Sequence, residues 1–230
     1  LDTGIRKSLI DKNPVENLRK LPIRKPNIKF WSIEEFTRFR ELIRDDEISY
    51  DLFFVIAFFT GMRMGEILAL NWNDINLLTN TIYVTKTVYF VNNTSYINTT
   101  KTRSGNRNIT INQKLAEMLK DWKVKQKEKL EEFTKNTDEL QIIQSTPITI
   151  TKNMIDKKFK QILERDKDLK KIRIHDLRHS HASLLINQGE DYLVVKERLG
   201  HASITTTIDT YSHLYPSKQK TLANRLDDLF

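Results

Sequence analysis

Arginines, histidines and a tyrosine in four short, widely separated segments are the side chains of this chain best able to do chemistry. Arg63 stands in Thr60-Gly61-Met62-Arg63-Met64-Gly65-Glu66, and His175 and Arg178 stand in His175-Asp176-Leu177-Arg178-His179. His201 follows Leu199-Gly200, and Tyr211 lies in Asp209-Thr210-Tyr211-Ser212-His213. A guanidinium binds the non-bridging oxygens of a phosphodiester through paired, charge-assisted hydrogen bonds. An imidazole gives or takes a proton near neutral pH. A phenol with a base beside it becomes a nucleophile. These are the parts needed to hold a phosphodiester and attack it with a phenol oxygen. Singly, each has a plainer reading. Arg63 alone reads as a surface arginine paired with Glu66, His201 as a loop or capping histidine, and Tyr211 as a packing residue. Their conjunction shifts the balance toward a shared site.

The elements that must position them follow from local pattern. Ser32 and Glu35 form a capping box, and Phe36, Phe39 and Ile43 carry helical apolar spacing. The stretch 50–59 is apolar nearly all round and predicts a buried helix, interrupted by Gly61 and followed by a short helix over 63–70. The β-branched and aromatic runs 81–85, 88–91, 96–99 and 107–111 change the period to that of strands. They predict a small three-stranded antiparallel sheet, with turns at Asn92-Asn93 and Ser104-Gly105-Asn106. Helices are expected again over 112–133, 152–165, 175–188 (closed by Gly189), 191–199 (ended by Gly200) and 205–214, where Pro216 stops the run. The fold class is therefore α+β and mostly helical. His175 and Arg178, three apart, share a helix face roughly opposite Leu177, Leu184 and Leu185, and are expected to point away from the core. His181 lies in that apolar stripe and reads as a satisfied core histidine. His179 admits either role, the structural one favoured.

The bulk composition narrows the field further. A net charge of +8 suits a polyanionic partner without identifying one. Cysteine is absent, so disulfides and thiolate chemistry are excluded. The longest apolar stretch, 52–60, is far shorter than a membrane span. No acidic cluster suited to a pair of metals accompanies the arginines, so no metal or other cofactor is implied. Residues 1–30, with a short helical stretch over 5–10 and prolines at 14, 22 and 26 among lysines and arginines, read as a connector. The compact domain is expected over 31–215. Leu222, Leu226, Leu229 and Phe230 form an amphipathic stripe in a tail helix over 216–230.

These words, in this order, resemble the catalytic domain of the tyrosine recombinases, the phage-integrase family. The resemblance covers essentially all of 30–215: Thr-Gly-Met-Arg-Met-Gly-Glu-Ile-Leu-Ala-Leu around Arg63, His-Asp-Leu-Arg-His-Ser-His-Ala-Ser-Leu-Leu, Leu-Gly-His-Ala-Ser-Ile, and Thr-Tyr-Ser-His-Leu. It implies a metal-independent DNA strand transferase, a site-specific recombinase of a phage or other mobile element in the bacterial cytoplasm. In that picture Tyr211 attacks the scissile phosphate and leaves a 3′-phosphotyrosine. Arg63, Arg178 and His201 bind its oxygens, and His175 helps to accept the tyrosine proton. Thr100-Lys101-Thr102-Arg103-Ser104 resembles the hairpin turn bearing the family's catalytic lysine, which singles out Lys101, with Lys86 the runner-up. Tyr215 is the runner-up nucleophile. The resemblance further implies double-stranded DNA with specific attachment sites as partner, a tetramer on DNA and a monomer alone. It also implies that 1–30 links to an N-terminal DNA-binding domain, and that the tail docks on its own domain or is exchanged between protomers. A type IB topoisomerase uses the same chemistry, though the short His201–Tyr211 spacing favours an integrase. A non-catalytic DNA-binding protein on this scaffold is the reading from a different class.

Overall fold

The computed structural model describes residues 2–15, 18, 28–91, 94–99 and 105–214. Lys101, the turn at Asn92-Asn93, Tyr215 and the tail over 216–230 lie outside the described residues. The helices are α1 (Asp2–Arg6), α2 (Ile33–Glu41), α3 (Ile48–Thr60), α4 (Met64–Ala69), α5 (Gln113–Leu130), α6 (Lys152–Leu163), α7 (Asp176–Asn187), α8 (Tyr192–Leu199) and α9 (Ile204–Tyr211). The strands are β1 (Ile75–Asn76), β2 (Thr81–Val84), β3 (Lys86–Val91), β4 (Thr94–Thr99) and β5 (Arg107–Thr110). The first helix ends earlier than its sequence suggests, because Ser8 adopts a left-handed conformation with φ of 53°.

A three-stranded antiparallel sheet is present, in the order β1-β2-β5. The sequence pattern did not mark the short β1. Among the described residues, strands β3 and β4 pair only with each other, from Lys86↔Thr99 to Val91↔Thr94, as a separate hairpin. That hairpin is held against α4 by Gly65, where a Cβ would come within 2.6 Å of both Thr87 Oγ1 and the Val88 carbonyl oxygen.

The core forms around α3, which is buried from Leu52 to Phe58. Helix α2 begins with the expected Ser32–Glu35 capping box and stacks its aromatic residues on α3. The Phe36 and Phe58 rings lie 3.9 Å apart and nearly parallel, and Phe39 meets Phe54 edge-on at 5.2 Å. Trp31 anchors the start of the domain to α7. Its backbone N–H donates to Ser180 Oγ at 2.8 Å and its indole N–H to the Lys170 carbonyl at 2.7 Å. Among the described residues no helix is long and apolar enough to cross a membrane.

Gly61 decides how the site is assembled. It ends α3 in the left-handed conformation, with φ of 65°, and a Cβ there would stand 2.7 Å from His181 Cδ2 and from Leu199 Cδ2. Only a hydrogen at that position lets α7 and α8 close onto the turn. Gly61→Ala is expected to lower the unfolding free energy by about 2 kcal/mol or more. Left-handed geometry costs a non-glycine residue roughly 1–2 kcal/mol, and displacement of His181 and Leu199 adds to it. Urea unfolding followed by tryptophan fluorescence measures this. A change within about 0.5 kcal/mol, typical of a surface substitution, would mean that the turn relaxes freely.

Candidate active site

Five helix ends and the start of a strand converge on one region. Arg63 caps α4 directly after the Gly61 turn, and its backbone N–H donates to Glu66 Oε2 at 2.9 Å. Its guanidinium is half-exposed and pairs with Glu66 Oε1 at 2.9 Å. The plain reading of Arg63 as a partner of Glu66 is thus correct, and the pairing also fixes Arg63 at the site. A second arginine grips the same carboxylate. Arg107, at the start of β5, donates from Nη2 to Glu66 Oε2 at 2.8 Å and from Nη1 to Oε1 at 3.2 Å. Its Nε–H donates to the Arg198 carbonyl at 2.9 Å, which ties β5 to α8. Burial alone would raise the Glu66 carboxyl, but the hydrogen bonds and charges of Arg107 and Arg63 outweigh it and hold the group ionised.

Arg178 was expected to point away from the core. Instead it is 4% exposed, the deepest of the site's arginines. Its Nη1 donates to the Gly61 carbonyl and its Nη2 to the Leu199 carbonyl, each at 2.7 Å. These carbonyls close the C-terminal ends of α3 and α8, where the helix dipoles are negative and accept a cation. That is why an arginine on α7 is drawn inward. No carboxylate pairs with it among the described residues. Burial, then the charge of Arg63, lowers the guanidinium to about 9. The Glu66 carboxylate offsets part of the Arg178 charge without pairing with it, and an anion entering beside the remaining N–H donors would offset more. A cleft of about 620 Å³ opens in front of Arg178, between Met62 and Met64 on one side and Arg173 and His175 on the other.

The histidines divide by role. His175 precedes α7 at the rim and is held below its ordinary value by partial burial and by Arg178. His201 sits past the left-handed Gly200, with Nδ1 2.8 Å from Thr207 Oγ1, and burial followed by the Arg178 and Arg63 charges brings it to about 4. His181 is a satisfied core residue, as its position in the apolar stripe suggests. Its Nδ1–H donates to the Phe58 carbonyl at 2.9 Å, and its Nε2 accepts from Arg198 at 3.0 Å. Burial lowers it to about 3, so it stays neutral.

Tyr211 ends α9 and is 1% exposed, its ring packed in a small cluster with Ala182, Ile186, Val195 and Leu199. Its hydroxyl meets His179 Nδ1 at 2.8 Å. His179, favoured as structural from its sequence context, is therefore the histidine that touches the phenol, and His175 is not. Burial pushes the Tyr211 phenol up to about 12 despite the opposing charge of Arg178. Among the sequence-predicted residues, Arg63, His175, Arg178, His201 and Tyr211 are brought together, linked by mutual electrostatic influence. Lys101 lies outside the described residues. Its runner-up, Lys86, is engaged elsewhere, its ammonium 2.8 Å from Asp74.

Arg107 and Arg198 escaped the sequence reading. A signal for Arg107 existed: it shares a strand face with the buried Ile109, two residues on. An arginine on a buried strand face needs a partner. Arg198 offered none, being one basic residue in the last turn of a charged helix.

The result is a mostly helical domain that gathers arginines and histidines beside a buried phenol. Residues 30–218 match the profile of the phage integrase family, and the chain belongs to that family. It is 42% identical over 229 residues to the ICEBs1 integrase of Bacillus subtilis (strain 168), a match covering 99% of this chain and 62% of that protein. The chain thus spans somewhat under two thirds of that relative's length. Among solved structures, the Tn1549 transposon integrase in complex with a circular intermediate DNA superposes with a TM-score of 0.77 at 19% identity. That superposition covers 100% of this chain and 75% of the other. The catalytic domain of bacteriophage HP1 integrase gives a TM-score of 0.57 at 21% identity, over 86% of this chain and 95% of that domain. These structures share the fold.

Proposed function

We propose that this chain is the catalytic part of a site-specific DNA recombinase, an integrase of a phage or mobile element. It cuts and rejoins strands through a 3′-phosphotyrosine bond and uses no metal or other cofactor. The observation that carries this reading is Arg178: a buried guanidinium with no carboxylate partner among the described residues, beside a tyrosine hydroxyl already hydrogen-bonded to a neutral histidine. Family membership and the integrase names of the relatives support it. Arg63 and Arg178 hold the non-bridging oxygens of the scissile phosphate, and their grip strengthens as charge grows in the transition state. His175 and His201 add hydrogen bonds. Tyr211 attacks the phosphorus and the 5′-oxygen leaves. The covalent bond keeps the phosphodiester energy, so a second 5′-hydroxyl can reverse the step on another strand without ATP.

The substrate in this reading is duplex DNA with specific attachment sites, bound by a tetramer that forms on the DNA from a free monomer, in the bacterial cytoplasm. Residues 1–30 serve as the linker from an N-terminal DNA-binding domain. The domain over 31–215 does the chemistry, and the tail over 216–230 docks on its own or a neighbouring domain. A nicked suicide duplex carrying the element–chromosome junction tests the proposal, because the broken strand diffuses away and traps the covalent intermediate. An adduct stable to detergent is expected, and its absence at saturating protein would remove the recombinase reading.

Lys101 is proposed as the acid that protonates the leaving 5′-oxygen. Lys101→Ala should slow cleavage by about 10²–10⁴, the usual worth of general-acid catalysis. Sulfur at the 5′-bridging position should restore most of the rate, since thiols ionise near 8.5 and leave without a proton. No relief by sulfur would shift the role away from Lys101.

A further inference from the structure

Among the described residues the Tyr211 hydroxyl has a single hydrogen-bond partner, His179 Nδ1 at 2.8 Å, and the two rings lie 5.7 Å apart. His175 stands one turn before His179, with the two imidazoles perpendicular at 5.2 Å, and makes no hydrogen bond to the phenol. The groups around His179 are Asp176 and Arg178 on its own helix, Arg173 and His175 just before it, Tyr211 from α9, and His201 from the loop between α8 and α9.

We propose that His179 is a catalytic residue, the base that takes the Tyr211 proton during attack, leaving His175 to contact the phosphate. This rests on the recombinase reading above and assigns a role within it. The Tyr211 O–H bond breaks as the bond from its oxygen to phosphorus forms, and the proton passes to the Nδ1 lone pair. The bond from phosphorus to the 5′-oxygen breaks with its electron pair on oxygen, which the general acid protonates. In the reverse step an incoming 5′-hydroxyl gives its proton to the now deprotonated general acid as its oxygen bonds to phosphorus. The bond from phosphorus to the Tyr211 oxygen breaks, and the imidazolium of His179 returns the proton to the phenolate.

The His179–Tyr211 pair is neutral. Burial first, and then the charge of His175, hold His179 at about 4, while burial pushes Tyr211 up to about 12. The proton therefore rests on oxygen. Arg178 is among the charges that depress His179. A phosphate seated on Arg178 offsets that charge and makes His179 a better acceptor when the phenol comes within range of phosphorus.

The experiment compares His179→Gln, His179→Ala and His175→Gln on the suicide duplex across pH, alongside wild type. Glutamine can still accept a hydrogen bond from the phenol but cannot carry the proton away. His179→Gln is expected to cleave at least about 10²-fold more slowly, the lower end for losing a general base. Its rate should rise close to tenfold per pH unit where wild type is flat, because the phenol must then ionise to solvent. Added imidazole should rescue His179→Ala. His175→Gln should be slower without that slope and without rescue. His179→Gln cleaving within about threefold of wild type would overturn the proposal, as would the slope and imidazole rescue appearing at His175 instead. One readout needs no variant: the long-range proton–nitrogen spectrum of the wild-type imidazoles should show His179 Nδ1 unprotonated, and a protonated Nδ1 defeats the assignment. A wild type that forms no adduct defeats the recombinase reading itself, which separates the two failures.

Discussion

Tyr211→Phe is expected to lose all covalent adduct with DNA while binding duplex as well as wild type does. The substitution removes one oxygen and keeps the ring that fills the cluster of Ala182, Ile186, Val195 and Leu199. The cost to the fold is small. Burial of the ring is retained, and His179 Nδ1 loses one hydrogen-bond partner, worth about 1 kcal/mol. The cost to chemistry is complete, because no other hydroxyl in the described site lies at hydrogen-bond distance from His179. Duplex binding should persist, since it draws on many phosphate contacts over a basic surface. The assay is detergent gel electrophoresis of the trapped intermediate, with a mobility shift for binding. Adduct at near wild-type yield in the phenylalanine variant would move the nucleophile elsewhere, with Tyr215 the next to examine.

Arg178→Lys is the second large effect, and it separates charge from geometry. Lysine keeps a positive charge but offers a point donor on a flexible stem in place of a planar fork. It cannot hold the Gly61 and Leu199 carbonyls and a phosphate together. Cleavage should fall about 10²- to 10³-fold, the range for removing one preorganised donor. The variant should also acquire a pH dependence that wild type lacks. Burial and the Arg63 charge bring even the guanidinium down to about 9. An ammonium, ordinarily near 10.4, falls further in the same place and loses its proton as pH rises toward and beyond neutrality. Because the protonated form is the active one, residual activity is highest on the acid side and declines with increasing pH. Single-turnover cleavage from pH 6 to 9 measures both features. A variant within threefold of wild type and flat across that range would show that Arg178 does not clamp the phosphate.

Local rules explain why so much of the scaffold was readable. A capping box at Ser32 and Glu35, an all-apolar run before Gly61, and glycines after α7 and α8 act within a turn or two of chain. Their outcome barely depends on the rest of the molecule. The same locality explains the misplaced details. The hairpin β3–β4 and the sheet β1-β2-β5 use residues of equal strand propensity. Their separation shows only in the packed structure, where Gly65 lets the hairpin approach α4 closely.

By itself the sequence determined the helices and their caps, the strand-forming segments, and the inventory of arginines, histidines and tyrosine that make the site. Tertiary structure alone decided how those groups are shared out. Arg178 reaches carbonyls 117 and 21 residues away, and that contact turned a presumed surface guanidinium into a buried cation. His179 meets a phenol 32 residues on, while its neighbour His175 stays at the rim. Arg107 finds Glu66 across 41 residues. Helical periodicity places both His175 and His179 on one side of α7, one turn apart, but does not say which faces α9. The energy that chooses between them comes from burying Tyr211 against α7 and α8, and it exists only once distant segments have packed.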